Sequence, residues 1–292
     1  MPRIPKAHHA GSWYTDDARV LGEELDKWLQ ASGLHKSSNA RAVIAPHAGY
    51  SYSGRCAAFA FANIDPQQIS RVFLLGPSHH YNTRKCALST ASIYKTPLGD
   101  LPIDLEVYQE LRATGKFEEM NLSIDEAEHS MEMHLPYLAK VFKGYVLKIV
   151  PILVGSCTTE TEAMYGRLLA KYIDDPSNFF SVSSDFCHWG QRFSYTYYDK
   201  KRGPIYKSIE ALDQKGIDII ESGDPDAFRG YLHDYGNTIC GRYPIGVFLN
   251  MLKHCMTRMR IKFVQYEQSS HCKSMRDSSV SYASAVVTVE EE

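Results

Sequence analysis

Three segments of this chain set histidine directly behind a short apolar run. Residues 41–45 lead into Pro46-His47-Ala48-Gly49-Tyr50, and residues 71–75 into Gly76-Pro77-Ser78-His79-His80. Residues 178–184 lead into Asp185-Phe186-Cys187-His188-Trp189. If these runs are neighbouring parallel strands, their histidines converge at the carboxyl edge of one sheet, where open α/β sheets hold their ligands. Imidazoles meeting at such an edge are the donors of a transition-metal site.

A first-row metal needs three or more protein donors at about 2 Å, held rigidly. His47 and His79 suit that need, each in a turn whose proline or glycine fixes the backbone. Spacing leaves the third donor open among His188, Asp185, Cys187 and residues further along. Cys240 is attractive, because Asn237-Thr-Ile-Cys-Gly-Arg-Tyr-Pro244 reads as the start of a long helix. A helix N-terminus, with Arg242 nearby, is expected to lower the thiol pKa and favour the metal-binding thiolate. The usual fate of a free cysteine is instead a small buried hydrophobe. A His/His/Cys set is softer than His/His/carboxylate and accepts iron(II), copper(I) or zinc. A second cluster, Glu128-His-Ser-Met-Glu-Met-His134, lacks the order and spacing of the H-E-x-x-H zinc helix. It suits lining a cleft, hydrogen-bonding metal ligands or starting a helix. Spacing assigns no role to His80, His129, His134 or Cys187.

The elements that must position these residues alternate between strand and helix. Helical periods run over 15–30, 54–64, 103–114, 131–142 and 160–172, and again over 205–221, 225–235 and 241–254. Pro244 falls in the first turn of the last, where proline is tolerated. Strands are expected at 41–45, 71–75, 146–154 and 178–184, with an antiparallel pair at 262–267 and 279–289. Pro151 inside an apolar run predicts a bulge or bend. The sum is of the α/β class: a three-layer α/β/α sandwich with a mixed central sheet. No repeat or long linker divides the 292 residues, so a single domain over 1–292 is expected.

Composition excludes several classes. Hydrophobic residues make up 44% and charged residues 23%, which is ordinary globular usage. A net charge of −2, from 32 basic and 34 acidic residues, gives no basic surface for nucleic acid. No stretch approaches the roughly 20 apolar residues of a membrane helix, and no secretory apolar segment opens the chain. Seven irregularly spaced cysteines argue against a disulfide framework and for a reducing, cytoplasmic location. The 19 tyrosines, several in Ser194-Tyr195-Thr196-Tyr197-Tyr198, fit packing or an aromatic ligand wall.

Together the motifs resemble the Memo family, mediators of ErbB-receptor-driven cell motility. The matching stretches include His9-Ala-Gly-Ser-Trp-Tyr-Thr15, Ala45-Pro-His-Ala-Gly-Tyr50, Leu75-Gly-Pro-Ser-His-His80 and Glu128-His-Ser-Met-Glu-Met-His-Leu-Pro-Tyr137. They continue through Ser183-Ser-Asp-Phe-Cys-His-Trp-Gly-Gln-Arg-Phe193, Asn237-Thr-Ile-Cys-Gly-Arg242 and Asp277-Ser-Ser-Val-Ser-Tyr-Ala283. The resemblance implies a fold similar to the class III extradiol non-heme iron dioxygenases. It implies that His47, His79 and Cys240 hold iron(II) or copper, with His188 and Asp185 beside them as acid/base groups. It further implies that Trp13, Tyr52 and Arg192 rim a ligand cleft. The function implied is a redox-capable signalling protein that relays receptor signals to the cytoskeleton. Phosphotyrosine receptor peptides or cytoskeletal regulators are its implied partners. The alternative is a metal-dependent oxidase or dioxygenase-like enzyme acting on a small molecule, with oxidation that produces reactive oxygen species as its expected form. Ring cleavage is not expected, because Cys240 replaces the carboxylate of the dioxygenases and a thiolate beside oxygen is itself oxidisable.

Overall fold

The computed structural model describes residues 6–291. Its first half contains α1 (Ala18–Ala31), β1 (Ala40–Ala45), α2 (Tyr50–Phe61), β2 (Arg71–Pro77), β3 (Cys86–Ser89), β4 (Ile93–Tyr94), β5 (Leu101–Pro102), α3 (Leu105–Ala113), β6 (Phe117–Met120), α4 (Leu122–Ala127) and α5 (Leu135–Val141). The second half contains β7 (Lys148–Val154), α6 (Thr159–Asp174), β8 (Asn178–Ser183), β9 (His188–Trp189), α7 (Ile205–Glu221), α8 (Pro225–Tyr235), α9 (Arg242–His254), β10 (Met259–Gln268) and β11 (Ser279–Val289). Side-chain caps start many of these helices: Asp17, Asp104, Asn121, Thr158 and Asp224 each accept a backbone N–H of the first turn.

The main sheet runs β10-β11-β1-β8-β2-β7-β3-β6, with β9 paired to β11. Strands β1, β8, β2 and β7 are parallel neighbours. The β10–β11, β11–β1 and β7–β3 pairs are antiparallel, so the sheet is mixed. The four parallel strands are almost wholly buried, as strands covered on both faces must be. The path from β1 through α2 to β2 advances across the sheet, and that from β7 through α6 to β8 returns. Right-handed crossovers in opposite directions put α2 and α6 on opposite faces. Helix α2 packs on β1, β10 and β11 with α1 and α5 beside it, while α6 and α9 pack on β8. This is the expected three-layer sandwich.

Three local expectations need correction. Helix α2 starts at Tyr50, four residues before the predicted 54, where the Gly49 carbonyl accepts from Ser53 N at 3.0 Å; Gly54 lies inside the helix and lets α1 approach, since a Cβ there would meet the Trp28 ring at 2.4 Å. Residues 131–142 are a 3₁₀ turn (Glu132–His134) followed by α5, with Pro136 in its first turn. Pro151 causes no bulge, since the β2–β7 register passes through Leu74 and Pro151 unbroken. The Pro151 carbonyl accepts from Tyr108 Oη at 2.5 Å, on the side away from β2. A residue's N–H and C=O share one side of a strand, so the missing N–H removes no β2 ladder bond. The short strands β3, β4, β5, β6 and β9 were not expected from the sequence. Each has two to four residues, too few to show a period.

Candidate metal centre

Because β1, β8 and β2 are adjacent and parallel, their trailing turns meet at one edge. His47 follows β1 by two residues and is 1% exposed. Its backbone N–H donates to Asp185 Oδ1 at 2.9 Å, tying the turn after β1 to the turn after β8. Its Nδ1 lies 2.7 Å from Ser183 Oγ, and that hydroxyl donates to the Ser130 carbonyl at 2.6 Å. With its one hydrogen committed, Ser183 accepts from His47, so Nδ1 carries the imidazole proton and Nε2 keeps its lone pair. Nε2 stands 3.3 Å from Cys240 Sγ and 3.8 Å from Asp185 Oδ2.

His79 is held by a parallel device. Glu128 accepts its backbone N–H at 2.7 Å and pairs with its Nδ1 at 2.8 Å. The same carboxylate accepts the N–H groups of His129 and Ser130 at 3.0 and 3.1 Å. Burial opposes ionisation of Glu128, but His79 and these N–H groups outweigh it and hold the carboxyl below its ordinary range. Carboxylate-backed imidazoles of this kind present a fixed Nε2 to a metal. The ring centroids of His47 and His79 are 5.2 Å apart.

Donor atoms of His47, His79 and Cys240 lie within 4.8 Å of one another, the separation that a single ion with bonds of 2.0–2.3 Å draws together. A second set, His79, Glu128 and His129, is as compact. Its carboxylate is already engaged by His79 Nδ1, which makes it a support for the first set. Burial, then the neighbouring imidazoles, hold His47 well below the usual histidine pKa, so it is neutral, the form that ligates.

One electrostatic expectation is overturned. Cys240 precedes α9 by two residues, yet its thiol is not acidified: burial pushes its pKa well up, and the Asp185 carboxylate adds to that. The Asp185 N–H, 3.3 Å from Sγ, pulls the other way without prevailing. A metal at this position would have to displace the thiol proton itself. Asp185 is raised as well, first by burial, with His188 and the N–H groups of His47 and Ala48 opposing.

The remaining expected residues surround a cleft of about 760 Å³ over the cluster, lined by Trp13, His47, Tyr52, His79, Asp185, His188 and Arg192 among others. His188 Nδ1 contacts the carbonyls of Phe186 and Thr238 at 2.9 and 3.1 Å, which turns Nε2 outward. Arg192 stacks on Phe193, which meets His188 edge-on. Tyr52 is 64% exposed at the rim. Trp13 is fixed by its own segment: its carbonyl accepts from Tyr50 N, and His9 bonds Glu132 through both backbone N and Nδ1. The Trp13 ring packs on His129 at 4.4 Å.

The structure also separates the histidines that spacing left open. His129 lies in the site, stacked on His79 with centroids 4.3 Å apart, and burial first, then His79, keep it neutral. His134 is structural: Nδ1 pairs with Ser181 Oγ and Nε2 with the Ala45 carbonyl, tying β8 to β1. Cys187 is fully buried, and His80 is exposed beside the cluster. Sequence reasoning missed Ser183 and Ser130, and it offered ligand support for the Glu128–His134 cluster only as one of three roles; the structure gives that role to Glu128. A hydroxyl inside an otherwise buried strand was the available signal.

A mixed α/β sandwich with two imidazoles and a thiol gathered at its parallel strand ends defines the class of protein. The Memo-like protein family model matches residues 5–286, and the chain belongs to that family. It is 54% identical over 289 residues to Protein MEMO1 of Xenopus tropicalis, covering 97% of each. Identity to human Protein MEMO1 is 52% over 289 residues, again with 97% of each covered. Identity to the Caenorhabditis elegans protein memo-1 homolog is 46% over 288 residues, covering 97% of this chain and 82% of that one. A crystal structure of an uncharacterized Escherichia coli K12 protein shares the fold, with TM-score 0.50, 15% identity, and coverage of 83% of this chain and 99% of that one. Among the described residues, no helix is long and apolar enough to cross a membrane.

Proposed function

We propose that this Memo-like protein binds one iron or copper ion through His47, His79 and Cys240 and acts as a redox-capable signalling protein. The observation that carries the reading is the matched anchoring of the two histidines. Each Nδ1 is engaged, by Ser183 and by Glu128, which leaves each Nε2 for an ion, and a donor atom of each histidine lies within 4.8 Å of Cys240 Sγ. Two imidazoles and one thiol form a donor set that suits both iron(II) and copper(I). Either ion would supply one-electron chemistry with oxygen species. The chain's own residues orient the ligands, exclude water behind His47 and keep the His47 imidazole unprotonated.

The cleft above the cluster supports a binding role in the same protein. Arg192, Trp13 and the serine-lined wall offer a cation, an aromatic face and hydroxyls to a phosphorylated aromatic side chain of a receptor peptide. Relay of such signals to cell motility and the cytoskeleton, in the cytoplasm, belongs to this proposal. A second reading, oxidation of a small molecule, is favoured by the outward-facing Nε2 of His188, placed to move a proton at the cleft floor.

The test is elemental analysis of protein purified anaerobically without chelators, beside His47→Ala and Cys240→Ser. We expect near-stoichiometric iron or copper in the parent and loss in both variants. Unchanged metal content in Cys240→Ser would sink the ligand set. Calorimetric titration of the same preparations with phosphorylated and unphosphorylated receptor-tail peptides decides the cleft's role; equal or absent binding of the two rejects it.

A further inference from the structure

Cys240 does not line the cleft. It opens instead into a separate chamber of about 330 Å³ across the ends of β2 and β7, and His79 borders both spaces. The cluster therefore has two faces: His47, Asp185 and His188 look into the cleft, and the sulfur looks into the chamber. His80, Asn82, Ser156 and Tyr243 line the chamber, and among the described residues their side chains make no hydrogen bond. No carboxylate borders it, while the Arg242 guanidinium sits over the Tyr243 ring, 5.1 Å from its centroid. Glu118 and Glu128 stand outside that lining, where Tyr81 Oη and His79 Nδ1 engage them at 2.8 Å each, and Asp185 lies on the cleft side of the sulfur. Unengaged donors and a nearby cation at the chamber wall suit a small anion. The volume, under half that of the cleft, is ample for a molecule the size of a small carboxylate.

We propose that this chamber is a second ligand site, distinct from the cleft, which takes a small anion such as a short carboxylate and brings it to the sulfur side of the cluster. A large ligand in the cleft and a small one in the chamber then reach the same cluster from opposite sides. The inference rests on the cavity and not on an ion, so metal-free protein tests it and either outcome leaves the metal reading to its own experiment.

The probes are iodoacetate and iodoacetamide, whose methylene carbon takes the Cys240 sulfur while iodide leaves and the thiol proton goes to solvent. Modification of Cys240 is followed by peptide mass spectrometry. Ser156→Trp fills the chamber and Ser270→Trp narrows the cleft, both from exposed positions. We expect Ser156→Trp to slow both reagents at Cys240 by about tenfold or more, with Ser270→Trp within about twofold of the parent. We also expect the iodoacetate-to-iodoacetamide rate ratio at Cys240 to exceed that of the same thiol in urea-unfolded protein. Asn82→Trp, on another wall, serves if Ser156→Trp does not fold. Slowing by Ser270→Trp alone, or no slowing by either chamber variant, overturns the second entrance. A rate ratio at or below the unfolded value overturns the preference for anions.

Discussion

At the scale of single residues, the candidate centre depends on groups that would never touch an ion. Glu128 divides its four contacts between two segments: the Nδ1 and N–H of His79 in the turn after β2, and the N–H groups of His129 and Ser130 in its own. Ser183 relays His47 to the Ser130 carbonyl, so residues 128–130 orient both histidines. Glu128→Gln keeps the shape but loses the charge and leaves one N–H poorly matched. We expect metal affinity, read by competition with a chelator, to fall by about 10–100-fold while the far-ultraviolet dichroism is unchanged. An unaltered affinity would make Glu128 a plain turn anchor. The two histidines of the site were legible from the sequence, because each sits just behind an apolar run. For the cluster with Glu128 the sequence left three roles open, ligand support among them, since nothing in its spacing says which imidazole it faces.

At the scale of elements, the centre needs α9 to be close to the sheet, because Cys240 stands at its threshold. Helices α6 and α9 approach through glycines on both sides. A Cβ at Gly166 would lie 2.3 Å from Asn250 Cβ and 3.0 Å from the Met251 nitrogen. Gly166→Ala raises intrinsic helix propensity by about 1 kcal/mol, yet here the clash falls partly on backbone that cannot rotate away. We expect a net loss of about 1–3 kcal/mol, measured by urea unfolding. A stabilised variant would refute this close crossing. The long helices and strands were legible from period and apolar runs. The four-residue error at the start of α2 and the regular strand at Pro151 were not. The helix start rests on a local backbone bond, from Ser53 N to the Gly49 carbonyl, and the strand on a partner element, through Tyr108 of α3 for the Pro151 carbonyl.

At the scale of the whole molecule, buried carboxyls away from the cluster shape the response to pH. Burial pushes Glu162 up to about 7 against the pull of Arg229 and Arg242, and Asp125 up to about 6. The native state therefore binds these protons more tightly than the unfolded chain, whose carboxyls titrate near pH 4. Their contribution favours the native state fully below about pH 4 and is lost as pH rises through 6 and then 7. Glu162→Gln removes one of the two slopes. Its gain over the parent, about 1–3 kcal/mol, should be largest above pH 7 and vanish near pH 4, as urea unfolding at pH 5 and pH 8 will show. An identical slope in parent and variant would place the pH dependence in other groups.

The sequence by itself determined which strands carry histidine at their carboxyl ends, that the sheet is mixed and covered by helices, and that the chain has Memo-like motifs from one end to the other. These follow from local period and from residue order, which a single chain displays. Tertiary structure alone decided that β8 lies between β1 and β2, that residues 128–130 back both imidazoles, and that the Cys240 thiol is raised and faces a chamber of its own. Each of these is set by groups far apart in sequence, where burial and neighbouring charge overrule what a helix start would do to a thiol in water.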